Sequence, residues 1–153
     1  TVDATGQTNL AIFSSIVHIG ANPPLISFIM RPDTVERHTL SNILTTGFYT
    51  INHLNESIYK QAHQTAARFR ENESEFEKAG LNEFYSNIIN APYVTESLVK
   101  IGLTFEEEVL IKSNNCEFCS SLNNLTCQAT TLSTKNNATN DVKINKIKRT
   151  NIS

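Results

Sequence analysis

"NLAIFSSIVHIGANPPLISFIM", residues 9–30, is the stretch on which the fold turns. A strand is expected from about Leu10 to His18. Gly20, Asn22, Pro23 and Pro24 then interrupt it, because glycine and proline leave regular structure most easily. "LISFIM" follows as a short apolar run with Ile and Phe, the pattern of a buried strand. Upstream, "TVDATGQTNLAIFSS" opens with Asp3 and Gly6, which suits a hairpin turn.

Downstream the alternation of signals continues. "TLSNILTTG", residues 39–47, reads as a short helix with Thr39 as N-cap. Asn42 stands where a capping-box side chain would sit, and Gly47 fits the position after the last turn. "FYTINHL" is aromatic and β-branched, so a strand is expected. "ESIYKQAHQTAARF" places Ile58, Ala62, Ala66 and Phe69 at helical spacing. "SEFEKAG" gives a further short helix ending at Gly80, and "VTESLVKIGLTFEEEVLI" one or two strands. No internal repeat is visible.

The length of 153 residues suits one domain, and 39% hydrophobic residues suffice for a core. A net charge of -2 supplies no field to draw in nucleic acid or an anionic membrane. No apolar run approaches the roughly 20 residues of a membrane span. No signal-peptide pattern opens the sequence, and the first residue is not Met, as in a fragment or a processed chain. Near residue 112 the composition changes. Of the 41 residues from 113 to 153, 20 are Asn, Ser or Thr. Such a stretch buries too little apolar area to offset its ordering entropy. The expected division is therefore a folded part, 1–112, and a tail, 113–153, that is flexible or atypical. Cys116, Cys119 and Cys127 all fall in that tail, outside the expected core. An odd, clustered set is a poor disulfide framework, which points to a reducing, cytoplasmic setting.

"MRPDTVERHTLSN", residues 30–42, sets two arginines, a histidine and a threonine at a helix start. Two readings stay open on the residues alone. One is a solvated polar turn that caps a helix. The other is a seat for an anion, since helix N-termini present free N–H groups and the positive end of the macrodipole. Metal chemistry is not supported: His18, His53 and His63 are scattered, and "CEFC" supplies only half of a four-ligand zinc site. No nucleophile–base constellation appears.

Three segments in order resemble the flavin reductase-like family: residues 9–30, "RHTLSNILTTGFYTINHL" at 37–54, and "SEFEKAGL" at 74–81. The resemblance spans about residues 1–112. It implies a mainly β fold with short helices (α+β), an antiparallel split β-barrel that this chain can leave incomplete at both ends. Residues 1–112 would be the FMN-binding domain, without its first strand. It further implies FMN as cofactor, NAD(P)H as transient reductant, and a homodimer with FMN near its interface. A monooxygenase or other redox protein is the partner class; neither nucleic acid nor membrane is.

By position in that pattern, His38 and Thr39 would take the FMN phosphate, with Arg31 reaching it by a two-pronged contact and Arg37 flanking it. Asn42 would order the phosphate loop or simply back-bond the helix start. Ser14 and Ser15 would touch the ring or ribityl chain, one of them turned away by strand alternation, and Asn9 would contact the same ligand. Adjacent serines exposed on an edge are the plain alternative. The activity implied is hydride transfer from NAD(P)H to flavin, in which the cofactors carry the chemistry. The alternatives are a flavoredoxin-like electron carrier without its own turnover, and a truncated member that has lost flavin.

Overall fold

The computed structural model describes residues 1–31, 38–67, 69, 73–111, 116–122 and 128–129. It is mainly β, with a few short helices. Strands β1 (Ile16–Ala21) and β2 (Pro24–Met30) form an antiparallel pair around the Asn22–Pro23 turn, where Pro24 faces Ala21. Helix α1 (His38–Thr46) leads to β3 (Phe48–Asn52). Helices α2 (Tyr59–Gln64) and α3 (Glu75–Ala79) precede a two-stranded ribbon of β4 (Glu83–Phe84) and β5 (Tyr93–Val94). The long β6 (Val99–Ile111), β7 (Cys116–Leu122) and β8 (Gln128–Ala129) complete the main sheet. Its order is β1-β2-β7-β6-β3, antiparallel throughout, with β8 paired to β6. Among the described residues the barrel does not close, and β1 and β3 remain edges.

Alternation along the strands decides what the sheet buries. Phe28 and Met30 of β2, Tyr49 of β3, Leu103 of β6 and Cys119 of β7 point to one face. Leu40 and Ile43 of α1, three residues apart on one helix stripe, cover them. Phe28 stands edge-on to Phe13 at 5.0 Å and to Tyr49 at 5.6 Å between ring centres. A second cluster joins Ile58, Phe76, Ala79, Leu81 and Val94 beneath α3. A third joins Val2, Ile89, Ala91 and Tyr93.

The expected elements are present with shifted ends. Asp3 does make the turn: its Oδ1 accepts from the backbone N–H of Thr5 and Gln7, and Val2 bridges Thr8. The strand expected from Leu10 begins only at Ile16. The Leu10 N–H is taken by Glu75 Oε2, and Ser15 Oγ both donates to Ile29 O and accepts from Ile29 N. Side chains thus replace the ladder there. The helix expected through Phe69 stops at Gln64, where Thr65 Oγ1 donates back to Ala62 O. Ser74 caps α3 and Gly80 ends it at φ 67. Gly47, at φ 74, ends α1, but Thr39 lies inside its first turn rather than at the cap.

The boundary drawn at residue 112 falls inside the sheet's central hairpin. β7, from the Ser/Thr/Asn-rich stretch, pairs with β2 and β6, and β8 pairs with β6. Averaging composition over 41 residues hides a seven-residue strand. The placing of every cysteine outside the core is corrected at Cys119, which is fully buried among Phe28, Met30 and Leu103. Cys127 lies outside the described residues.

Gly102 of β6 has a packing reason. A Cβ there would press on Tyr93 Oη and lie 2.6 Å from Ile89 Cγ1. Gly102→Ala is expected to cost about 1–3 kcal/mol through overpacking. A thermal unfolding midpoint equal to the wild type would contradict this packing.

Candidate functional site

The stretch Asn9–Phe13 crosses between the first turn of α1 and the edge strand β3, and side-chain hydrogen bonds hold it there. Asn9 Nδ2 donates to Thr39 Oγ1 at 2.9 Å and to Thr1 Oγ1 at 3.3 Å. Asn42, itself buried, donates from Nδ2 to the same Thr1 oxygen at 3.2 Å. This network fixes the start of α1 against the chain's first turn.

Two hollows open on either side of it. The first is lined by Phe13, Phe28, Ile43 and Tyr49, with Asn9, Thr39, Thr50 and Asn52 supplying polar groups. Its polar residues are themselves positioned: Thr50 Oγ1 donates to Pro92 O at 2.5 Å, and Asn52 Oδ1 accepts the Val94 N–H at 2.9 Å. The second is polar and is shaped by Asp3, Asn9, His38, Asn42, Glu73 and Glu75. Asn9 borders both. Apolar walls with a few fixed polar groups are the usual make-up of a small-molecule pocket.

Of the eight residues expected at a site, Asn9, His38, Thr39 and Asn42 come together here. Ser15 is occupied by the Ile29 backbone, and Ser14 is exposed. Arg31 follows the end of β2, exposed, and borders neither hollow. Arg37 lies outside the described residues. The reading from sequence missed Phe13, Tyr49, Thr50 and Asn52. The alternation in "FYTINHL" signalled a strand, but not that it would be an edge with both faces near a hollow. Among the described residues no His, Cys, Asp and Glu gather as metal ligands, and no helix is long and apolar enough to cross a membrane.

The flavin reductase like domain model matches residues 1–117. A split-barrel protein of Shewanella frigidimarina NCIMB 400, assigned as a flavin reductase, is 46% identical; the match covers 85% of this chain and 64% of that one, with a TM-score of 0.80. Nitrilotriacetate monooxygenase component B from Bacillus cereus is 28% identical over 84% of this chain and 65% of its own, with a TM-score of 0.74. A protein of Aquifex aeolicus (strain VF5) is 32% identical over 101 residues, which is 65% of this chain and 52% of that protein. The chain spans about half the length of the curated relatives it matches.

Asn9→Ala removes the donor shared by Thr39 and Thr1. It is expected to cost about 1 kcal/mol per bond lost, seen as a lower urea midpoint at unchanged slope. An unaltered midpoint would mean that the network does not anchor α1.

Proposed function

The chain belongs to the flavin reductase-like domain family, and we propose on that premise that it binds FMN and promotes hydride transfer to it from NAD(P)H. The observation that carries this reading is the hollow floored by Phe13, Phe28, Ile43 and Tyr49 and rimmed by Asn9, Thr39, Thr50 and Asn52. Its apolar part fits a flat ring, and its fixed polar groups fit a ribityl chain. When bound, the flavin supplies the two-electron chemistry. The chain's own residues bind and orient. Thr50 and Asn52 are held by Pro92 O and the Val94 N–H, so they present preset polar atoms along β3. Asn9 and Thr39, bonded to each other at 2.9 Å, would meet the polar arm of the flavin beside the start of α1.

The relation to a monooxygenase component supports a redox protein as partner, one that takes reducing equivalents from the flavin. A homodimer is the assembly proposed. Ile16, Val17 and Ile19 of β1 and Val109, Leu110 and Ile111 of β6 are all exposed, more apolar surface than strands facing only water present. Sedimentation at micromolar concentration is expected to give twice the chain mass, and a monomer throughout would remove the dimer.

Ala11 lies on the rim of the apolar hollow and is exposed. Ala11→Trp is expected to fill the hollow, weaken FMN binding at least about tenfold, an effect of roughly 1.4 kcal/mol, and leave the unfolding midpoint in place. Titration followed by flavin fluorescence checks it. Wild-type protein with catalytic FMN is expected to oxidise NAD(P)H over many turnovers. Flavin binding without turnover would leave an electron carrier, and no binding would leave neither.

A further inference from the structure

Lys100 of β6 is only 5% exposed, whereas a lysine ordinarily keeps its charged head in water. Strand alternation puts Lys100 on the same face as Gly102. Across to β3, Lys100 pairs with Asn52 and Gly102 with Thr50. Asn52 and Thr50 both line the apolar hollow. Lys100 Nζ donates to the backbone carbonyl of Ser97, in the turn that leads from β5 into β6. Resting on the flavin reading above, we propose that Lys100 is a positioning residue for that hollow: by holding the turn from Val94 to Ser97 it sets the side chain of Asn52, and through it Thr50, against the ligand.

A chain of hydrogen bonds runs from the amine to the hollow. Lys100 Nζ holds Ser97 O, and the Ser97 N–H donates to Val94 O at 3.1 Å. The Val94 N–H donates to Asn52 Oδ1 at 2.9 Å, and Asn52 Nδ2 donates to Thr50 Oγ1 at 3.1 Å. The Asn52 amide is thus fixed at both ends, its oxygen by Val94 and its nitrogen by Thr50. The turn is also tied to the segment around the end of β3. Ser97 Oγ donates to His53 O at 2.8 Å, and Asn55 Nδ2 donates to Glu96 O at 2.9 Å. Lys100 ties it to β6, the strand that stands beside Asn52. Burial pushes the Lys100 ammonium below the ordinary lysine range, and the Glu96 carboxylate pushes it back up. The amine is therefore held against a desolvation cost that an apolar side chain of similar length avoids. Methionine would fill the same space, but aiming the Ser97 carbonyl needs a donor.

Lys100→Met in the full chain tests this, with Lys100→Arg as the variant that keeps a donor. Without ligand, hydrogen exchange at the Val94 amide is expected to quicken at least about fivefold in Lys100→Met, the effect of loosening one modest hydrogen bond. The Phe105 amide, which donates to Gly47 O farther along β6, is expected to exchange as in wild type. FMN affinity, followed by flavin fluorescence, is expected to fall at least about fivefold. The unfolding midpoint is expected to stay within about 3 °C, because relief of a buried charge opposes the loss of a donor to one carbonyl. Lys100→Arg is expected to recover the Val94 protection and most of the affinity. A midpoint many degrees lower in Lys100→Met would make Lys100 a support of the fold alone, and unchanged Val94 exchange would break the chain at its first link. Either result overturns the proposal without reference to flavin. Wild type that binds no FMN would remove the flavin reading instead, and with it the claim that Lys100 serves a ligand.

Discussion

β7 is hydrogen-bonded on both sides, through Leu25–Met30 of β2 and Thr104–Ile111 of β6, and every larger feature of the fold hangs on that placement. Without it the sheet separates into a β1–β2 pair and a β3–β6 pair to which β8 adds only two residues. Two-stranded units are marginal in water because they bury one face poorly. With β7 in place, Phe28 stands opposite Cys119, Tyr49 opposite Leu103, and one apolar face runs continuously under α1. Cys119 at this point acts as a small hydrophobe, which its full burial between two strands requires.

The ligand hollow is the part of that face that α1 leaves uncovered. Ile43 packs on Phe28 and Tyr49 from the helix side, and Phe13 stands against Phe28 from the N-terminal stretch. The rings therefore serve the core and the hollow at once. The same economy governs the polar rim. Asn52 accepts from Val94 and donates to Thr50, so its side chain joins β3 to β5 before it meets any ligand. The firmness of the apolar wall follows from edge-on ring packing, and the rim's orientation follows from bonds that the fold needs anyway.

Much of this was readable in the residues. The break at Gly20–Pro24, the glycines at 47 and 80, and the alternation in "FYTINHL" each act through local backbone chemistry, which a sequence exposes directly. What was not readable depended on distant partners. Leu10–Ser15 has strand-like residues but gives its N–H groups and hydroxyls to Glu75 and Ile29. "CEFCSSL" has a composition that argues for solvent, and its place between two strands, with Cys119 buried, comes from partners that lie far apart in sequence. For the site, the motif order singled out eight residues, of which Asn9, His38, Thr39 and Asn42 border the two hollows. It had no means to show Glu73 and Glu75, some thirty residues further on, turning back towards them.

That return changes what the polar residues at the start of α1 mean. Read alone, an amphoteric run ahead of a helix is equally a cap and an anion seat, because both use the same N–H groups. Thr39 already accepts from Asn9, and Asn42 already donates to Thr1, so these side chains meet local needs before any ligand arrives. Asp3, Glu73 and Glu75 border the same polar hollow as His38 and Asn42, so distant parts of the chain meet at this helix start. The helix start is thus the polar shoulder of an apolar hollow, held in place through Asn9 and Thr1 by the chain's first residues.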